Sequence, residues 1–123
     1  MEKICIPLSD DNKITITSRA KYLAIFEKLN DKPVVIEENP ALNAKIKRPE
    51  FIKGCIKHKA NVIIAAHGSY CSPSYNLIKE NNIKAYVSEN YSSIPPKFLK
   101  DLTMGEVLYS NMLAVYERLF SKH

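Results

Sequence analysis

NVIIAAHGSYCSPSY, residues 61–75, reads as an apolar run that empties into a polar loop and then into a helix. Val62 to Ala66 is apolar and partly β-branched throughout, the pattern of a strand buried on both faces in the middle of a parallel sheet. Ser72-Pro73 opens the helix, with Ser72 as the expected N-cap and Pro73 as the first helical residue. Strand, loop and helix N-terminus in this order is where open α/β sheets hold ligands, because backbone N–H groups and the helix dipole converge beyond the strand's carboxyl end. His67 and Cys71 in this loop are candidate metal ligands, since an imidazole and a thiolate suit iron-sulfur, zinc or copper. Gly68, Ser69 and Ser72 are candidate ligand-binding positions beside them.

The rest of the chain alternates in the same way. Strands are expected at Lys3 to Leu8, at Lys13 to Thr17 with continuation or re-formation over Tyr22 to Lys28, at Val34 to Glu37, at Val62 to Ala66 and at Ile83 to Val87. Arg19 to Leu29 also fits a helical period. Helices are expected at Pro49 to Lys59, Pro73 to Asn81 and Pro96 to Leu102. A capping-box pair, Thr103 and Glu106, opens a last helix reaching about Phe120. Met104, Leu108, Met112, Val115 and Leu119 form an apolar stripe on it that must be buried against the sheet or a second chain. The expectation is a mixed five-stranded α/β sheet with right-handed crossovers and helices on both faces, plus an extra C-terminal helix.

At 123 residues the chain is long enough for one core-forming domain. Three cysteines with no CxxC spacing argue against a disulfide framework and for a reducing compartment. No stretch approaches the length of a membrane span, and the amino terminus lacks a signal-peptide pattern, so a cytoplasmic location is expected. The charge is local. Lys45, Lys47, Arg48, Lys53, Lys57 and Lys59 face one acid, Glu50, an excess equal to the net charge of +5. This segment can neutralise an anion near the loop or touch nucleic acid; the plainer reading is a solvated lysine-rich face. Asp10 and Asp11 fit a turn better than a two-metal nuclease, because the first strand carries no acid. Cys71 with His67 as base is a further possibility for a nucleophile, but no orienting acid is evident. Cys55 and His58, one helical turn apart, read as core and surface residues.

Several motifs in order then carry a family resemblance: KICIPLSDD at the start, SRAKYLAIFE in the second strand, EENPA after the third, NVIIAA with its glycine loop, and NNIKAYV. From about Met1 to Gly105 the chain resembles the dinitrogenase iron-molybdenum cofactor biosynthesis domain family, leaving 106–123 as a helical extension. The resemblance implies a ribonuclease H-like fold and a non-enzymatic carrier of a metal cluster, of the iron-sulfur or iron-molybdenum type, or of a small anion. The family's His-Phe-Gly before the Arg-Ala of the second strand is absent; Thr17 and Ser18 precede Arg19 here. On this reading Ser9, Asp10, Arg19, Asn39, Lys47 and Arg48 line the site with the 67–72 loop, and Arg19 lies at the same rim as His67. A homodimer or protein partner at the C-terminal helix is expected, with a nucleic-acid or protein-interaction module using Lys45 to Lys59 as the alternative.

Overall fold

The computed structural model describes residues 2–120, so the last three positions of the expected extension lie outside the described residues. Strands β1 (Ile4–Leu8), β2 (Tyr22–Phe26), β3 (Val35–Glu38), β4 (Val62–Ala66), β5 (Lys84–Ser88) and β6 (Lys100–Asp101) form a mixed sheet in the order β3-β2-β1-β4-β5-β6. β1 runs parallel to β4 and β4 to β5, while β2 is antiparallel to β1 and β3, and β6 to β5. The helices are α1 (Lys47–Lys57), α2 (Ser72–Glu80) and α3 (Met104–Phe120), with a 3-10 helix at Pro40–Asn43. No helix among the described residues is long and apolar enough to cross a membrane.

The sheet has six strands rather than the expected five, because the segment read as a helix over Pro96 to Leu102 instead adds a two-residue edge strand to β5. Lys13 to Thr17 is not a continuous strand. Ile14 makes isolated bridges to Leu8 and Ser92, and the whole segment from Ile14 to Thr17, threonines included, is buried.

Helices do not cover both faces. α1 and α2 share one face, where Phe51, Ile52, Cys55 and Ile78 pack on Cys5, Leu23, Ile25, Ile63 and Val87. The opposite cluster, Ile4, Ile6, Leu8, Ala24, Phe26, Val62 and Ile64, is closed by Ile14, Leu29 and Ile94 from connecting segments. The expectation of no disulfide is also corrected: Cys5 and Cys55 are bonded, with Cα atoms 5.7 Å apart. Both are inward-facing, one on β1 and one on α1, so the helix-on-sheet packing brings together residues separated by 50 positions. Cys71 is the free thiol.

Candidate functional site

β4 leaves the sheet at Ala66, and the His67 N–H extends its ladder by donating to the Ser88 carbonyl at the end of β5. The chain then turns at Gly68, whose φ of +99° is open to glycine and whose missing Cβ would meet Leu113 at 2.8 Å.

From there the loop is latched, residue by residue, by side chains from α3. Glu106 accepts from the Gly68 N–H at 2.7 Å, Ser110 Oγ accepts from the Tyr70 N–H at 3.0 Å, and Asn111 both accepts from the Ser72 N–H and donates to Ser72 Oγ at 2.8 Å. Ser69 Oγ accepts from the Thr17 N–H, and the Ser69 carbonyl accepts from the Thr17 hydroxyl, both at 3.1 Å. The Tyr70 hydroxyl donates to the Tyr86 carbonyl at 2.7 Å. Burial, reinforced by the nearby Glu106 charge, holds the Tyr70 phenol well above its ordinary range, so it stays a neutral donor.

The N-cap of α2 is Cys71 rather than Ser72. The first N–H of this helix, that of Ser72, is taken by Asn111, and the Tyr70 N–H just before the N-cap by Ser110, so α3 side chains stand where a ligand was expected. Gly68, Ser69 and Ser72 are therefore part of the latch.

Glu106 is the residue that sequence reasoning missed. Its N–H donates to Thr103 Oγ1 at 3.2 Å, as a capping box predicts, yet its carboxylate does not return to Thr103. One oxygen holds Gly68, and the other lies 2.5 Å from His67 Nδ1. A carboxylate oxygen accepts from an N–H, so the Nδ1 position of His67 carries a proton, and in the neutral ring this leaves Nε2 as an acceptor or metal ligand. The ring is stacked on Tyr109, with centroids 3.9 Å apart and planes at 9°. His67 thus has the orienting acid that was not evident in the sequence. No nucleophilic side chain is hydrogen-bonded to it among the described residues, so the pair is not a triad.

Two cavities flank this latch. The rim cavity, about 770 Å³, opens at the carboxyl ends of β4 and β5, with Arg19, His67, Ser88, Lys100, Glu106 and Tyr109 among its walls. Arg19 and His67 lie at one rim, as the topology predicts. The basic cavity, about 300 Å³, lies between the start of α1 and α3 and includes Arg19, Lys45, Lys47, Arg48, Cys71 and Glu117. His67 and Cys71 consequently line different cavities. Cys71 is buried with its Sγ 3.3 Å from Ser74 Oγ. No group of three or more His, Cys, Asp or Glu side chains suited to an ion occurs among the described residues.

The remaining expected site residues have other occupations. Asn39 is 1 % exposed; its amide donates to the Thr17 and Ala20 carbonyls and its oxygen accepts from the Ala41 N–H. Lys47 Nζ donates to the carbonyls of Ala41, Leu42 and Ala44. Arg48 donates through Nε to the Gly68 carbonyl at 2.7 Å and through Nη1 to Glu117 at 2.9 Å. Arg19 pairs with the other oxygen of Glu117. Ser9 and Asp10 line neither cavity; Ser9 bonds Asp11 and receives the Lys13 N–H in a tight turn. His58 Nε2 lies 3.1 Å from Glu37, away from the disulfide-bonded Cys55.

The helix that supplies these latches presents the opposite of the expected face. Glu106, Ser110, Asn111 and Glu117 point inward, while Met104, Leu108, Met112 and Leu119 of the apolar stripe are exposed. Polar residues at i, i+4, i+5 and i+11, opposite a hydrophobic stripe, were the available signal.

No protein-family model and no curated protein matches the chain. A solved structure described as the crystal structure of PH0822 is similar at 9% identity, covering 92% of this chain and 86% of that chain, with a TM-score of 0.47.

Proposed function

We propose that the chain is a non-enzymatic carrier that receives a metal cluster or a small anion in the rim cavity, on a ribonuclease H-like core, in the manner of the iron-molybdenum cofactor biosynthesis proteins its sequence resembles. The observation that carries this reading is the single imidazole, His67, fixed by Glu106 and Tyr109 at the carboxyl ends of parallel strands. A bare ion needs about four protein donors. A preassembled cluster brings most of its own ligands, so one oriented imidazole is enough protein ligation for it, and Arg19 and Lys100 line the cavity together with the acids Glu89, Asp101 and Glu106. Among the first five strands, β2 alone runs against the others, an arrangement that supports the ribonuclease H-like core.

Anaerobic incubation with ferrous iron and sulfide, followed by visible absorbance and iron content, tests the reading. Wild-type protein is expected to take up a chromophore, His67→Ala to lose it, and Glu106→Gln to bind about 10- to 100-fold more weakly, the usual cost of removing the partner of a ligating imidazole. Uptake that is absent in the wild type, or unchanged in His67→Ala, overturns it.

A second copy of the chain is the proposed partner of the outer face of α3. Met104, Leu108, Met112, Tyr116, Leu119 and Phe120 are each more than half exposed and carry no charge. At on the order of 100 Å² apiece they approach the roughly 800 Å² per partner of a stable interface, at the upper end of the patch a monomer usually exposes. Sedimentation should give a dimer mass, halved by Leu108→Lys with Met112→Lys. A monomeric wild type refutes the pairing.

A further inference from the structure

We infer that the basic cavity is a second and separate ligand site, built for one small oxyanion, a phosphate or carboxylate group. Two of its wall residues bring buried polar atoms that no protein group satisfies, Arg48 Nη2 and Ser18 Oγ. Arg48 is 4 % exposed and Ser18 7 %. A buried donor without a partner is costly and rare in a folded protein, so two of them on one small cavity mark where a ligand's oxygens are received. The guanidinium is already oriented, because Nε is fixed by Gly68 and Nη1 by Glu117.

The helix start adds to this. α1 is 11 residues long, its N-cap is Ile46, and no side chain caps it. Ile46 and Lys47 line the cavity, so the positive end of the α1 dipole borders it. At the α2 start the Ser72 N–H is taken by Asn111, whereas no side chain caps the α1 start.

Charge also points to an anion. Arg19, Lys45, Lys47, Arg48 and Arg118 surround the cavity with one acid, Glu117, among them. Glu117 itself displays the recognition chemistry, since its two oxygens are held by guanidinium groups from different parts of the chain. One carboxylate leaves most of the positive charge unopposed, and an oxyanion seated beside it would take Arg48 Nη2, Ser18 Oγ and the first-turn N–H groups of α1.

The test is titration with sodium phosphate, glycerol phosphate and sodium acetate against chloride at matched ionic strength, reading melting temperature and heat of binding. Saturable stabilisation by phosphate or by acetate beyond chloride is expected. Equal binding of phosphate and glycerol phosphate assigns the site to a phosphate ester, a preference for inorganic phosphate to the free ion, and a preference for acetate to a carboxylate; each supports an oxyanion site. Lys45→Ala with Arg118→Ala removes two exposed cations while leaving the bonds of Arg48 in place, and should weaken binding roughly tenfold. Ser18→Ala should weaken it as well, whereas His67→Ala, on the other cavity, should not. No saturable effect of any of the three anions, or binding indifferent to both the double variant and Ser18→Ala, overturns the site without bearing on the rim cavity.

Discussion

Replacing Arg48 by Met is expected to cost about 3–5 kcal/mol of folding stability, because it breaks a buried charged contact, removing the side-chain donor to the Gly68 carbonyl and leaving Glu117 with Arg19 alone. Arg48 reaches both the Gly68 turn and α3, through the Gly68 carbonyl and Glu117. Its loss unties the loop after β4 and the helix that latches it. Glu117→Gln keeps an acceptor oxygen for one of the two arginines and turns an NH2 toward the other; with the buried guanidinium still in place it should cost less, about 1–3 kcal/mol. The two variants also differ in acid. Burial pushes the Glu117 carboxyl up, but the hydrogen bonds and charges of Arg48 and then Arg19 outweigh it and leave it below the usual value of 4.5. A depressed folded value means that the unfolded chain binds the proton first. The contribution is therefore complete above the unfolded value and lost as pH falls through the folded one. Chemical denaturation over this acid range should show a falling limb in the wild type that is shallower in Glu117→Gln. An Arg48→Met protein as stable as the wild type would show that the latch carries little energy.

Asn39→Ala should cost about 2–4 kcal/mol, since it strips three hydrogen bonds from a site closed to water. The Asn39 side chain ties the turn before β2, through the Thr17 and Ala20 carbonyls, to the start of the 3-10 helix at Ala41. Asn39→Asp should be at least as harmful at neutral pH, because it turns a carboxylate toward two carbonyls. Denaturant midpoints measure both. A surviving folded fraction of Asn39→Ala should still take up iron and sulfide per folded molecule as the wild type does. A stable Asn39→Ala with lost uptake would return this residue to the ligand site, where the sequence placed it.

That difference between scaffold and site recurs along the chain. β4 was legible to the residue, because five consecutive apolar positions ending in a glycine loop have one reading. The three α-helices that form were legible to within two residues at either end, as Lys47–Lys57 against Pro49 to Lys59 shows, whereas the helix expected over Pro96 to Leu102 does not form. Lys13 to Thr17 misled because the apolar/polar alternation does not map onto two faces here: Thr15 and Thr17 are buried along with Ile14 and Ile16, in a segment held by isolated bridges and loop hydrogen bonds. Arg19, Lys47 and Arg48 were singled out for their charge. The charge is there, but Lys47 is spent on carbonyls and Arg48 on Gly68 and Glu117.

By itself the sequence determined the mixed α/β sheet, the position of the loop after β4 at its rim, and the approach of Arg19 to His67, because these follow from local periodicity and from the short connections a parallel sheet allows. Only the tertiary structure decided which polar groups meet. Glu106 reaches His67 across 39 positions, Cys5 bonds Cys55 across 50, and Arg48 finds Glu117 across 69. No local pattern encodes such distances; they are set by where α3 comes to rest across the rim. The orientation of α3 was equally undecided, since an apolar stripe states that a face can be buried but not by what. Here the hydrogen-bonding needs of the 67–72 loop claimed its polar side, leaving Leu108, Met112 and Leu119 turned outward.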